Sequence, residues 1–215
     1  MNIQKYLHEG GSPEDLEQHL MDLDSTFRFK CRRCGKCCKN QDTIIFTPRD
    51  IYNIAHKFGK TMEQVIKEIA EVYPGRDSRM PIVHMVPRGP KNACPLLVDG
   101  RCSVHDCKPT VCALFPLGRV IWFDRTLPLE QQLDNIQVRY IVNDIDCGSA
   151  KRINTVRDWL GRFGIAENDE FFIRWNRLFI RASSVMRKLE EAHCPPTLLV
   201  VFWRTVFKDF YLNYD

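Results

Sequence analysis

The chain has 215 residues, of which 44% are hydrophobic and 27% are charged, and its formal net charge is only +4. This is the composition of a globular protein, and so small a charge gives no bulk electrostatic reason to expect nucleic acid binding. The first residues lack the apolar core of a signal peptide, and no stretch approaches the roughly 18 apolar residues of a membrane span. We therefore expect a cytoplasmic protein, in which thiols stay reduced and disulfides are rare.

Residues 1–27 are predicted to form a helical arm. Ser12 followed by Pro13 is a helix-start signal, and leucines follow it at helical spacing. The helix is expected to end near Ser25, just before the first cysteines.

Residues 28–150 are predicted to form a cysteine-rich domain of short elements. Thr47, with an acid, Asp50, at the third helical position, begins one predicted helix, and Gly59 ends it. Thr61 with Gln64 is expected to begin another helix. Two short strands, rich in Val, Ile and aromatic residues, are predicted at residues 119–123 and 138–142.

Residues 151–215 are predicted to be a helical segment that packs on the cysteine-rich domain. A short helix is expected over 155–163 and a last helix over 197–211. Between them, residues 167–192 carry apolar side chains at alternating steps of three and four, which is one stripe of a long helix. The predicted fold class is therefore α+β, with a small metal-centred domain followed by C-terminal helices.

Four of the ten cysteines fall within eight residues. Cys31, Cys34 and Cys37 have the spacing C-x2-C-x2-C, that of the first three ligands of bacterial ferredoxin-type clusters. Cys38 follows directly, and because adjacent side chains point apart in extended chain, it could serve a second metal. A core role for these cysteines is disfavoured, because four thiols in eight residues exceed what packing requires.

A second group of cysteines follows at Cys94, Cys102, Cys107 and Cys112, with Cys147 further on. Structural zinc normally uses paired CxxC knuckles, which this group lacks, so the pattern favours iron–sulfur over zinc. A plain structural role stays open for Cys107 and Cys147. It is favoured for Cys194, which stands alone before two prolines.

Residues 29–38 resemble the first motif of the zinc- or iron-chelating cysteine-cluster family (YkgJ-like, with a CxxCxxCC domain). Residues 47–51, 94–105 and 108–116 resemble its later motifs, so the resemblance covers roughly residues 28–150. Cys107 stands where the family usually has another residue and is left out of the ligand set. The metal or cluster ligands that the resemblance implies are Cys31, Cys34, Cys37, Cys38, Cys94, Cys102, Cys112 and Cys147.

The favoured function is that of a metal-binding protein carrying an iron–sulfur cluster of the [4Fe-4S] type. It would act in electron transfer or in modification of a protein or peptide. The first alternative is a structural zinc-binding interaction module. A second is a protein-lysine N-methylase, because the family includes the longer flagellin lysine methylases. No cofactor loop of the G-x-G-x-x-G or P-loop type supports methyl transfer.

The pattern assigns no catalytic residue. His105 and Asp106 are the only acid–base pair near the cysteines, and they are expected to be hydrogen-bonding loop residues. Coordination of the metal centre entirely by protein is therefore favoured over an open catalytic position. This interpretation allows a protein or peptide partner, whereas a nucleic acid partner is not expected.

Overall fold

The computed structural model describes residues 16–32, 34–39, 43–143 and 147–214. Most of the predicted N-terminal helical arm lies outside the described residues. Of the described residues in this arm, Leu16 and Glu17 are helical, and turns follow them. The helix that was expected to reach Ser25 therefore ends earlier than predicted. Met21 instead forms a β-bridge with Tyr140, in which each backbone N–H donates to the other carbonyl.

Helices and short antiparallel strands are both present along the described ranges, which confirms the predicted α+β class. The strands are β1 (Thr26–Lys30), β2 (Ile45–Phe46), β3 (Ala70–Pro74), β4 (Pro81–Met85), β5 (Leu97–Val98), β6 (Arg101–Cys102), β7 (Leu117–Trp122), β8 (Gln137–Val142) and β9 (Ser149–Thr155). The α-helices are α1 (Pro48–Phe58), α2 (Met62–Ile69), α3 (Thr110–Leu114), α4 (Leu129–Asp134), α5 (Val156–Gly161), α6 (Glu170–Glu191) and α7 (Pro196–Phe207).

The chain forms two compact units that interleave along the sequence. Unit 1 comprises residues 1–34 and 113–177, and unit 2 comprises residues 35–112 and 178–215. The predicted metal-binding domain over residues 28–150 and helical segment over 151–215 stay predictions.

Unit 1 contains two antiparallel strand pairs, β1 with β9 and β7 with β8. Both partners of the second pair were predicted, at nearly the same residues. In β1 the side chains of Phe27 and Phe29 are buried while their neighbours are exposed, which is the two-residue alternation of a strand. Both rings meet Trp159 edge to face, at centroid distances of 5.6 Å and 5.7 Å. Trp159 also donates its indole N–H to the carbonyl of Leu114 at 3.0 Å.

Gly148 lies directly against β1, at a point where no side chain fits. Its φ is +73°, and a Cβ built there would stand 2.3 Å from a ring carbon of Phe29 and 3.0 Å from the carbonyl oxygen of Lys30. We expect Gly148→Ala to destabilise the protein by about 2–4 kcal/mol, combining left-handed backbone strain with overpacking. Urea unfolding measures this loss.

Gly164 supplies the matched control for this prediction. It also has a positive φ, of +63°, but nothing lies within 4 Å of a Cβ built there. Gly164→Ala should therefore lower the stability only by the strain of a left-handed backbone, about 1–2 kcal/mol. Equal losses for the two variants would contradict the steric argument for Gly148.

Unit 2 begins its helices with two capping boxes, as predicted. Thr47 accepts from the backbone N–H of Asp50 at 3.3 Å, and the Asp50 carboxylate accepts the N–H of Thr47 at 2.8 Å. Thr61 and Gln64 make the same reciprocal pair at the start of α2. Gly59 ends α1 in the left-handed conformation. These local signals determine where the helices begin, because each satisfies backbone donors that the first helical turn leaves unpaired.

Unit 2 also contains a three-stranded sheet, in the order β2-β4-β3, the two-stranded β5–β6 hairpin, and the C-terminal helices from residue 178 onward. Met186 of α6 and Val206 of α7 are buried in one cluster with Met80. The buried Tyr211 donates its hydroxyl to the carbonyl of Phe46 in β2 at 3.4 Å. Among the described helices, none combines the length and the apolar character that crossing a bilayer requires.

Candidate metal centre

Unit 2 brings together five of the eight predicted ligands from three separate stretches of chain. Their thiols lie close enough for the charge of one to shift the pKa of others. These five, called the thiol cluster below, are Cys37, Cys38, Cys94, Cys102 and Cys112.

A left-handed glycine brings the first two thiols of the cluster side by side. Gly35 has φ +70° and precedes a single 3₁₀ turn, Lys36–Cys38, in which Cys38 donates its N–H to the Gly35 carbonyl at 3.0 Å. The Cys37 and Cys38 sulfur atoms are 4.0 Å apart as a result. The expectation that adjacent residues would point apart was wrong here, because it assumed extended chain. Two thiolates on one tetrahedral ion with bonds of about 2.3 Å lie about 3.8 Å apart, so both thiols can face one metal.

Backbone hydrogen bonds join the second stretch to the first. Cys94 donates its N–H to the carbonyl of Cys38 at 2.8 Å. The β5–β6 hairpin then folds back, with Leu97 opposite Cys102 and with the Leu97 N–H donating to the Cys94 carbonyl at 3.0 Å. A short turn and a tight hairpin thus place Cys102 near Cys94, although seven residues separate them in sequence.

The third stretch, which carries Cys112, is tied to the start of α1 by a buried carboxylate. One oxygen of Asp50 accepts the Thr110 backbone N–H at 2.8 Å and the Thr110 hydroxyl at 3.0 Å. The other oxygen accepts from Thr47. The sequence predicted only this second pair, because a capping box is a local signal, whereas Thr110 lies 60 residues away.

The pKa values of the thiols in the cluster are shifted in different directions. The hydrogen bond between the two sulfur atoms raises the pKa of Cys37 and lowers that of Cys38. Burial raises the pKa of Cys94, and it raises the pKa of Cys112 strongly. Metals bind thiolates, so a cation that enters this cluster must displace protons, and its positive charge offsets the repulsion among the sulfur atoms.

The other three predicted ligands belong to unit 1. Cys31 and Cys34 are exposed, and Cys147 is half-buried. Pairing of Lys30 with Ser149 places the end of β1 beside the start of β9, so Cys31 and Cys147 lie at the same end of this strand pair. Unit 1 therefore groups two predicted ligands that the sequence separates by more than a hundred residues.

Cys107 lies beside the thiol cluster and is not one of its members. It lines a cavity of about 440 Å³ together with Tyr52 and His56. Burial, and then the neighbouring Asp106 carboxylate, raise the pKa of its thiol. Asp106 forms an ion pair with Lys57, which agrees with its expected role as a hydrogen-bonding loop residue.

In the part of the chain that the structure describes, no three Cys, His, Asp or Glu side chains converge closely enough to hold one ion. The donor chemistry of the cluster nevertheless fits zinc or iron, both of which take thiolate ligands.

Residues 30–136 match the model of a protein family described as "Putative zinc- or iron-chelating domain", CxxCxxCC. This segment is similar to a CxxCxxCC domain. The matched segment contains the whole thiol cluster together with Cys31 and Cys34, and it ends before Cys147. Comparison with curated proteins and with solved structures gives no match. The description of the matched family supports metal binding, which the sequence predicted.

Proposed function

We propose that the CxxCxxCC domain holds a [4Fe-4S] iron–sulfur cluster, with its ligands drawn from the thiol cluster of unit 2. The observation that supports this proposal is that five thiols from three stretches of chain lie near enough to one another to shift one another's pKa. A [4Fe-4S] cluster takes four cysteine ligands. Five neighbouring thiols exceed what one four-coordinate ion needs and suffice for the cluster.

The proposed role is electron transfer to or from a protein partner. With enough thiols to fill every position, the centre needs no open site, which disfavours chemistry at a metal-bound substrate. Cys37 is exposed, so a centre held there lies near the protein surface. The Lys108 ammonium lowers the pKa of Cys37 and so favours its thiolate form. The hydrogen bond between Cys37 and Cys38 raises the same pKa and is the larger effect. Positive charge beside the centre would stabilise its anionic ligands.

A structural zinc site is the second candidate, and one distance favours it. The Cys37 and Cys38 sulfur atoms, 4.0 Å apart, are spaced much as two ligands of a single tetrahedral ion. In that case the domain would be an interaction module stabilised by its metal.

Metal analysis after anaerobic purification separates the two candidates. We expect brown protein with about four iron and four sulfide per chain and broad absorbance near roughly 400 nm, from thiolate-to-iron charge transfer. Reduction by dithionite should bleach this absorbance and produce a paramagnetic signal. Colourless protein with one zinc and no iron would overturn the cluster and support the zinc module. A thermal shift caused by S-adenosylmethionine would instead support methyl transfer.

A further inference from the structure

We infer that Asp50 is a positioning residue of the metal centre and that it acts on Cys112 through Thr110. The inference rests on the proposed function, because it takes Cys112 to be a metal ligand. Asp50 would touch no metal itself. Its carboxylate would hold the short stretch of chain that presents the Cys112 thiol.

The hydrogen bonds of Asp50 exceed what helix capping requires. The residue is only 3% exposed, and its two carboxylate oxygens accept four hydrogen bonds. The pair from Thr47 completes the cap of α1. The pair from Thr110 adds nothing to that helix, and it neutralises the cost of burying a second carboxylate oxygen.

The capping box of α2 shows what helix capping alone requires, and it can be compared with Asp50 in the capping box of α1. The start of α2 carries the same capping box, in which the side-chain oxygen of Gln64 accepts the Thr61 N–H at 2.9 Å. Gln64 is exposed, and its side-chain oxygen accepts from Thr61 at the start of the same helix. A capping residue therefore needs neither burial nor a negative charge, and Asp50 has both.

Thr110 is the residue through which such a carboxylate can set the orientation of Cys112. It is the first residue of α3, and Cys112 lies two residues further on. A helix of five residues has too few internal hydrogen bonds to fix its own orientation in water. Bonds from one carboxylate oxygen to both the N–H and the hydroxyl of Thr110 supply that constraint. Outer-shell contacts of this kind orient metal ligands.

Anaerobic titration of the reduced, metal-free full chain with Co²⁺ tests the inference. The thiolate-to-cobalt charge-transfer band reports how many thiolates bind, and competition with a chelator gives the affinity. We expect Asp50→Asn to weaken Co²⁺ binding about 10–100-fold, because an amide nitrogen cannot accept a hydrogen bond, and to reduce the band. Thr110→Val should act in the same direction. Gln64→Ala, which removes the matched cap, should leave affinity within about twofold.

A double variant separates positioning from general destabilisation. Cys112→Ser leaves four thiols in the cluster and should reduce the charge-transfer band. If Asp50 acts through Cys112, adding Asp50→Asn to Cys112→Ser changes affinity and band no further, because coupled sites are not additive. Full additivity would overturn the inference.

The single variants give further outcomes. Wild-type affinity in both Asp50→Asn and Thr110→Val would overturn the inference while leaving the metal centre intact. Wild-type protein that binds no Co²⁺, zinc or iron would overturn the proposed function and, with it, the inference. If Asp50→Asn does not fold, Thr110→Val decides, since it keeps the cap of α1.

Discussion

Replacing Cys38 and Cys94 together by serine should strip unit 2 of its metal. The pair lies at the junction of two stretches, where Cys94 donates its N–H to the Cys38 carbonyl. Only three thiols of the cluster would remain, fewer than the four that a zinc ion or an iron–sulfur cluster takes. We expect metal content to fall from stoichiometric to near zero.

Loss of the metal should also loosen the cysteine loops, because the binding free energy of such a centre is also folding free energy. Hydrogen exchange measures this. Backbone amides of residues 94–112 should lose most of their protection, whereas amides of the β7–β8 pair in unit 1 should keep theirs. The β5–β6 hairpin has only two residues in each strand and is not expected to persist without the metal.

The matched control removes two other cysteines from the same unit. Cys107 and Cys194 lie in unit 2 but outside the thiol cluster, so Cys107→Ser combined with Cys194→Ser should keep metal near the wild-type content. Equal metal loss in the two double variants would show that the ligand assignment is wrong. Retention of metal by the Cys38 and Cys94 double variant would place the ligands elsewhere, with Cys31, Cys34 and Cys147 as the next candidates.

Truncation of Trp159 to alanine should produce the largest loss of stability in unit 1. The side chain is 5% exposed and lies between two edge-to-face phenylalanine rings, Phe27 and Phe29. Its removal opens a cavity and leaves the carbonyl of Leu114 without the indole donor. Such truncations cost about 3–5 kcal/mol, a large fraction of the 5–15 kcal/mol that stabilises a typical domain. Urea unfolding followed by circular dichroism measures the loss.

Trp159→Phe separates the contribution of ring packing from that of the indole hydrogen bond. Phenylalanine keeps a ring against Phe27 and Phe29 but has no N–H to donate to Leu114. We expect it to recover about half of the loss, because a single unmade hydrogen bond to a buried carbonyl costs about 1–3 kcal/mol. If the two variants are equally destabilised, ring packing is not what stabilises this core.

Where the chain carries a complete local signal, the sequence determined the structure. Both capping boxes of unit 2 and the glycine stop of α1 were predictable, because each satisfies backbone groups only three or four residues away. The β7 and β8 strands were predictable from their composition of Val, Ile and aromatic residues. The density of cysteines was likewise sufficient to predict metal binding.

Strands β1 and β9 show where local signals failed. Neither strand was predicted, although in β1 the sequence carries the alternation of Phe27 and Phe29 with polar neighbours. The sequence of β9 carries no strand pattern, because its residues lack a regular apolar alternation. It becomes a strand through its pairing with β1, more than a hundred residues away. Context of this kind overrides weak intrinsic propensity.

The tertiary structure alone decided how the predicted ligands are distributed. The family resemblance implied all eight as one set, whereas folding assigns five to unit 2 and three to unit 1. A left-handed Gly35 turns the Cys37 and Cys38 sulfur atoms toward one another, which sequence adjacency did not predict. The tie from Asp50 to Thr110 spans 60 residues. Sequence patterns predict the chemistry of ligands from residue type and local spacing, but contacts between distant segments decide which ligands meet.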